Sequence, residues 1–401
     1  MQVTKFTVVK KMFRGLLAFV CFICVSGYFF SSLGSAHLTT AAWGNSNLDV
    51  IKILVKGGAD VNARDEKGWT PLMHATMDDS NLEVITTLVE AGADVNAKLE
   101  YGWTPLIFAA RYSSVPEVIT TLAKTGADVN AKSNNGYTPL MWAAKENSNL
   151  EVITALVNAG ADVNSKSNFG YTPLMMAAWG NSNPDVITTL LEKGADIHTT
   201  NNDGYTPLMM AAWGNSNPDV ITALVSAGSD VNAVDNDGTT PLMVAARCSS
   251  NPEVITTLVK IGAEVNAKGK DGYTPLMIAA WGNPNQGIIT TLLENGADLH
   301  TSNNDGDTPL MLAARCSSVP EVITTLLENG ADLHTTNNDG YTPLILAAWG
   351  NSNPDVIAAL IKAGADPNAK DSDGKMAIDY ARENEKLKDT DAFKVLEEIS
   401  R

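Results

Sequence analysis

Two short apolar stripes alternate along the chain with polar, glycine-bearing stretches. In one stretch Leu208, Ala211 and Ala212 stand three and four apart, and Val220, Ile221, Leu224 and Val225 make a second stripe. Both follow the helical period. Thr206 is placed to cap the first helix through its hydroxyl, and Pro207 takes the next position, where no amide is needed. The second helix starts on Asn217 as cap, then Pro218, then Asp219, whose charge suits the positive helix end. Gly228 predicts its stop in a left-handed conformation, and Asp237-Gly238 predicts a turn into the next stretch. Glycines equivalent to Gly228 stand at Gly58, Gly92, Gly126, Gly160, Gly194, Gly262, Gly296, Gly330 and Gly364.

The same arrangement recurs. Thr-Pro-Leu begins at Thr70, Thr104, Thr138, Thr172, Thr206, Thr240, Thr274, Thr308 and Thr342, always 34 residues apart. A fixed period of this size predicts stacked supersecondary units. Neither helix is long enough to stand alone, so stability is expected to come from the interfaces between neighbouring units.

Asp-Gly-x-Thr-Pro-Leu-x-x-Ala-Ala followed by Gly-Ala-Asp-Val-Asn resembles the ankyrin repeat over residues 36–400. The period of 34 is that of the tetratricopeptide repeat, but the motif is not. The link Trp213-Gly214-Asn215-Ser216-Asn217 is one residue longer than is usual in the ankyrin family, which places the extra residue. The resemblance implies an all-α ankyrin-repeat solenoid of helix–turn–helix units with short hairpin-like loops. Roughly ten or eleven units with layers about 10 Å apart would extend about 100 Å. It further implies a non-catalytic protein that binds a protein partner through a concave face. Ankyrin repeats often carry His after Thr-Pro-Leu; here Met73, Ile107, Met141, Met175, Met209, Met243, Met277, Met311 and Ile345 replace it, which predicts apolar packing in place of a polar link.

The ends differ from the array. Lys5, Lys10, Lys11 and Arg14 precede an apolar run from Gly15 to Phe30, and Gly34-Ser35-Ala36 offers small residues. This order predicts a secretory signal over residues 1–36, cleaved after Ala36, and a secreted or periplasmic protein. The alternative is membrane anchoring by uncleaved residues 15–30. Residues 37–68 read as an N-terminal capping repeat, with Leu38, Ala41, Ala42 and Trp43 aligned to the first helix. Residues 69–374 hold nine repeats without a linker. Residues 375–401 read as a C-terminal capping repeat, with Phe393, Val395, Leu396 and Ile399 as its apolar stripe. In the Thr274 repeat, Pro284-Asn285-Gln286-Gly287 replaces the usual second-helix start, and a local soft spot is expected there.

Charge narrows the partners. The chain carries a formal net charge of −17. Without residues 1–36 and their four basic groups, 24 basic and 45 acidic groups remain, a balance of −21. That repels nucleic acid, and it disfavours a membrane surface unless the signal segment is retained. A monomer is expected. Cys248 and Cys316 lie two repeats apart, roughly 20 Å by layer spacing, beyond the reach of about 7 Å between α-carbons that a disulfide allows. An intermolecular bridge stays open. His198, His300 and His334 replace the Asn of the Val-Asn turn and are expected to cap it. No residue spacing suggests a metal site, a phosphate loop, a cofactor or a catalytic group.

Stacking converts each repeat position into a row. Before each Thr stand Trp69, Trp103, Tyr137, Tyr171, Tyr205, Thr239, Tyr273, Asp307 and Tyr341. After Ala-Ala stand Trp43, Met77, Arg111, Lys145, Trp179, Trp213, Arg247, Trp281, Arg315 and Trp349. In the family that this chain resembles, both rows commonly line the concave face. Trp, Tyr and Arg are also the residues that dominate binding hot spots. The aromatic and basic members of the two rows are therefore the candidate partner-binding residues, with Arg111, Lys145, Arg247 and Arg315 accepting acidic groups. Packing of hairpin bases by the first row, and cation–π steps along the second, are the competing uses. A self-associating envelope scaffold and a carbohydrate-binding groove are the alternative functions.

Overall fold

A computed structural model describes residues 30–43, 48–77, 82–388 and 390–400. These hold 22 helices and no strand. They form two compact units, residues up to 143 with 149–162, and residues 144–148 with 163–401. Each unit repeats one pattern: a first helix, most often of eight residues as in Pro207–Gly214, a tight link, then a second helix of nine such as Pro218–Ser226. An extended loop follows.

The caps are those the sequence calls for. The Thr206 hydroxyl accepts from the Met209 amide at 3.2 Å, and Asn217 Oδ1 accepts from the Asp219 amide at 3.0 Å. Gly228 ends the second helix at φ 105°, a conformation that costs glycine little. The methionines do more than fill space. Thr206 donates its amide to Met209 Sδ at 3.5 Å, and Thr70, Thr138, Thr240, Thr274 and Thr308 do the same to the methionine three residues on. A thioether thus takes the part a carboxylate plays in a capping box.

The core lies between the two helix layers. Leu208, Met209, Ala211, Ala212, Val220, Ile221 and Leu224 are buried, and their counterparts are buried in neighbouring repeats. Hydrogen bonds then tie repeat to repeat. The Asn215 amide group donates to the carbonyls of Ala178 and Asn181 at 3.0 and 2.7 Å, and its oxygen accepts from Asn217. Asn232 donates to the Gly262 carbonyl and accepts from the Glu264 amide. Asn62, Asn96, Asn130, Asn164 and Asn266 bridge the same way. His198, His300 and His334 break this series. Their backbone amides are held by Asp196, Asp298 and Asp332, but their imidazoles are exposed, so the turn is capped by the aspartate and not by the histidine.

Residues 1–29 lie outside the described residues, and with them the leader and Cys21 and Cys24. The first described helix, Phe30–Ala42, runs unbroken through Gly34-Ser35-Ala36 and so begins seven residues before the expected cap. No proline or capping residue interrupts it there. No helix among the described residues is long and apolar enough to cross a membrane. At the other end the helix Asp391–Ile399 buries Ala392 and Leu396 but leaves Val395 and Ile399 exposed, so the expected stripe is narrower than its composition suggested. In the Thr274 repeat the helix Gln286–Glu294 keeps its cap, Asn285 Oδ1 accepting from the Gly287 amide at 2.9 Å. Only the leading proline and acid are missing.

Candidate functional site: the aromatic rows

In the first unit the aromatic residues pack on one another. Trp69 and Trp103 both lie against Phe108, with ring centres 4.6 and 5.0 Å away, over a core of Met73 and Ala97. Trp103 also meets Trp142 at 4.8 Å, and Tyr137 meets Trp142 at 5.7 Å. The Arg111 guanidinium sits 5.4 Å from the Trp103 ring centre and 4.6 Å from that of Trp142. Trp69 stacks on His74, whose Nε2 lies 2.9 Å from Asp65 Oδ2. Trp43 is the exposed member, 6.0 Å from His74. A third row, four residues after each Thr, accounts for this: His74, Phe108 and Trp142 stand beneath the first row and absorb it.

In the second unit the third row is aliphatic, with Met176, Met210, Val244, Ile278, Leu312 and Leu346. There the first-row tyrosines turn to the helix ends. Tyr205 meets Trp213 at 6.1 Å, Tyr273 meets Trp281 at 6.2 Å, and Tyr341 stacks with Trp349 at 6.3 Å. Tyr171 is half-buried and meets Phe169. Trp213, Trp281 and Trp349 stay 40, 45 and 49% exposed, although each has a ring neighbour. Trp179 is half-buried, 5.9 Å from Trp213 and beneath the Lys145 ammonium at 4.4 Å. It lies over Gly214, where a Cβ would come within 2.0 Å of its Cδ1. Gly214 thus clears room for the ring of the repeat before it, as Gly180 and Gly350 do for the side chains of Lys145 and Arg315.

The four basic residues are not equivalent. Arg111 is held by rings, and Lys145 by Trp179 and by Glu146 at 3.5 Å. Arg315 lies 4.9 Å over Trp349, with Asp307 buried nearby. Arg247 is exposed and has no ring or carboxylate partner among the described residues. Cation–π steps are therefore present at three of the four.

Burial raises the Tyr205 and Tyr273 phenols. Burial also raises the Cys248 and Cys316 thiols, so both stay protonated near neutrality; the two are free and exposed. No group of three or more His, Cys, Asp or Glu among the described residues is arranged to hold a metal ion.

The two rows are legible from the period, and the third row beneath them carries a signal of its own. Its signal was present as the run His74, Phe108, Trp142 giving way to Met176 and Met210. A family model described as ankyrin repeats (3 copies) matches residues 38–133, 116–201, 140–235, 174–269, 208–303 and 276–371. Over 34 residues the chain is 56% identical to protein phosphatase 1 regulatory subunit 27 of Homo sapiens, and equally to that of Mus musculus. The match covers 8% of this chain and 22% of each relative, so the chain spans about a fifth of the length of the curated relatives it matches.

Proposed function

Since the chain belongs to the ankyrin-repeat family, whose repeats generally mediate protein–protein interaction, we propose that it is an exported, non-catalytic binding protein. It takes a protein partner through the concave face formed by the first-row tyrosines and the helix-end tryptophans. The observation that carries this reading is the row Trp213, Trp281 and Trp349, rings left open to solvent at one repeat position. Large exposed aromatic area in line with a basic side chain is costly to a solitary soluble protein and suits an interface core. The match to the phosphatase regulatory subunit spans one repeat length and lends this chain no partner.

The test is capture of a cross-linked partner by the full chain and by a variant with Trp213, Trp281 and Trp349 all replaced by Ala. Capture should fall at least tenfold while helical content and thermal midpoint hold. Equal capture by both chains would remove the face from consideration. Export rests on the basic leader and apolar run before Phe30. Mass measurement of the chain recovered outside the cytoplasm should place its first residue at His37; an intact Met1 terminus on all of the chain would reject cleavage.

A further inference from the structure

The aromatic ladder of the second unit lacks a rung. The repeats at Thr206 and Thr274 each carry a ring pair, Tyr205–Trp213 and Tyr273–Trp281. Between them the equivalent positions hold Thr239 and Arg247. A cleft of about 600 Å³ opens there, walled by both ring pairs and floored by Thr239, Met243 and Val244. In the other ringless repeat the equivalent groups are already engaged by the repeat that follows. Asp307 fills the tyrosine position, accepts from Asn337 at 2.8 Å and is buried, and Arg315 lies over the Trp349 ring at 4.9 Å. Of the two ringless repeats, the Arg247 one combines open rings with a cation that has no ring or carboxylate partner among the described residues.

Charge is divided along the cleft. At the helix end stands Arg247. At the hairpin end, the Asp235 carboxylate is occupied by the amides of Asp237 and Thr239, each at 2.8 Å, and Asp237 lies 4.0 Å from Lys270. Asp271 adds a further carboxylate on that side. An acidic guest group is therefore favoured only beside Arg247.

We propose that this cleft is the specificity subsite of the binding face: it takes an aromatic side chain of the protein partner as the missing rung, with a neighbouring carboxylate of the same segment on Arg247. This rests on the function proposed above. An inserted ring gains edge or face contacts with Tyr205, Trp213, Tyr273 and Trp281, and the guanidinium gains the counter-ion it lacks in the free chain. A cationic guest held by the four rings and the hairpin carboxylates is the competing chemistry, and Arg247 opposes it.

The test uses the full chain to select from a random displayed peptide library, with selected peptides then measured by fluorescence anisotropy. The variant Thr239→Tyr with Arg247→Trp fills the cleft with the residues of the Thr206 and Thr274 repeats, so folding is preserved and checked by thermal midpoint. Selected peptides should pair Trp, Tyr or Phe with an adjacent Asp or Glu. Their affinity should drop at least tenfold for the filled variant and for Arg247→Glu. Bound peptide should slow alkylation of Cys248, which lines the cleft. Undiminished affinity for the filled variant would overturn the subsite while leaving the broader face in place. A consensus of aromatic with Lys or Arg would overturn it in favour of a cation. If no peptide is selected and the triple tryptophan variant also captures partner normally, both readings fall.

Discussion

Trp103 in the first unit and Tyr273 in the second occupy the same repeat position and have different neighbours. Trp103 is fixed between Phe108 and Trp142, with Arg111 above it. Tyr273 leans on Trp281, which remains open to solvent. The difference lies one layer down. Where the third row is aromatic, rings pack on rings; where it is aliphatic, the helix-end rings stay open to solvent. An aromatic row in a repeat protein is thus packed or open according to what lies beneath it.

The sharpest way to break this contrast is to remove one ring from each unit. Trp103→Ala should cost about 3 kcal/mol in denaturant unfolding, as truncation of a packed aromatic does. Trp281→Ala should cost about 0.5 kcal/mol, as surface changes do. Equal losses would erase the distinction. The next effect concerns the Trp-Gly pairing. Gly214→Ala forces Trp179 off its seat and should cost about 2 kcal/mol through overpacking. At Gly282 an added Cβ meets nothing within 4 Å, so Gly282→Ala should be neutral or slightly stabilising.

The end repeats sharpen the comparison through pH. Asp65 pairs with His74 in the first full repeat, and Asp371 accepts from Tyr380 at 2.5 Å at the same two positions in the last. Burial opposes ionisation of both carboxylates, but the side-chain partner and two backbone amides hold each below its usual range. Their stabilisation is complete above the unfolded carboxylate value of about 4 and is lost as pH falls through the folded one. Tyr380 is raised, by burial first and then by Asp371. Its contribution is present below about pH 10 and lost as pH rises above that. Amide protection factors, which divide out the intrinsic pH dependence of exchange, should therefore fall at both ends in acid and only at the C-terminal end in alkali. A fall at both ends in alkali would refute the assignment.

The smallest effect is at Asp307. Burial raises this carboxyl, so its ionised form weighs against folding at neutral pH. Asp307→Asn keeps an oxygen for Asn337 and should raise the thermal midpoint by about 2 °C at pH 7. The gain should vanish below about pH 4, where the aspartate is already protonated.

Much of the fold was legible because each cap and stop is local: Thr206, Pro207, Asn217 and Gly228 act within a few residues of themselves. The candidate rows were legible for the same reason, once the period was fixed. What escaped the sequence was set by neighbours a repeat away. That Met209 sulfur accepts a backbone amide, that Trp179 rests on Gly214, and that Arg315 is occupied while Arg247 is not, all depend on contacts the linear pattern does not encode. The histidines misled for a related reason: His198 sits where Asn would cap, but an imidazole does not make the two-sided bond from one loop to the next.

That missing bond has a mechanical consequence. After His198, His300 and His334 the two-sided clasp is absent, so these three seams keep only the bonds nearer the hairpin tips and the helix links, such as Asn236 to Asn202, Asn338 to Asn304 and Ser372 to Asp339. Local opening starts where the fewest bonds must break. Under tension or mild heating the second unit should part along these lines into cassettes, each still folded, instead of fraying residue by residue.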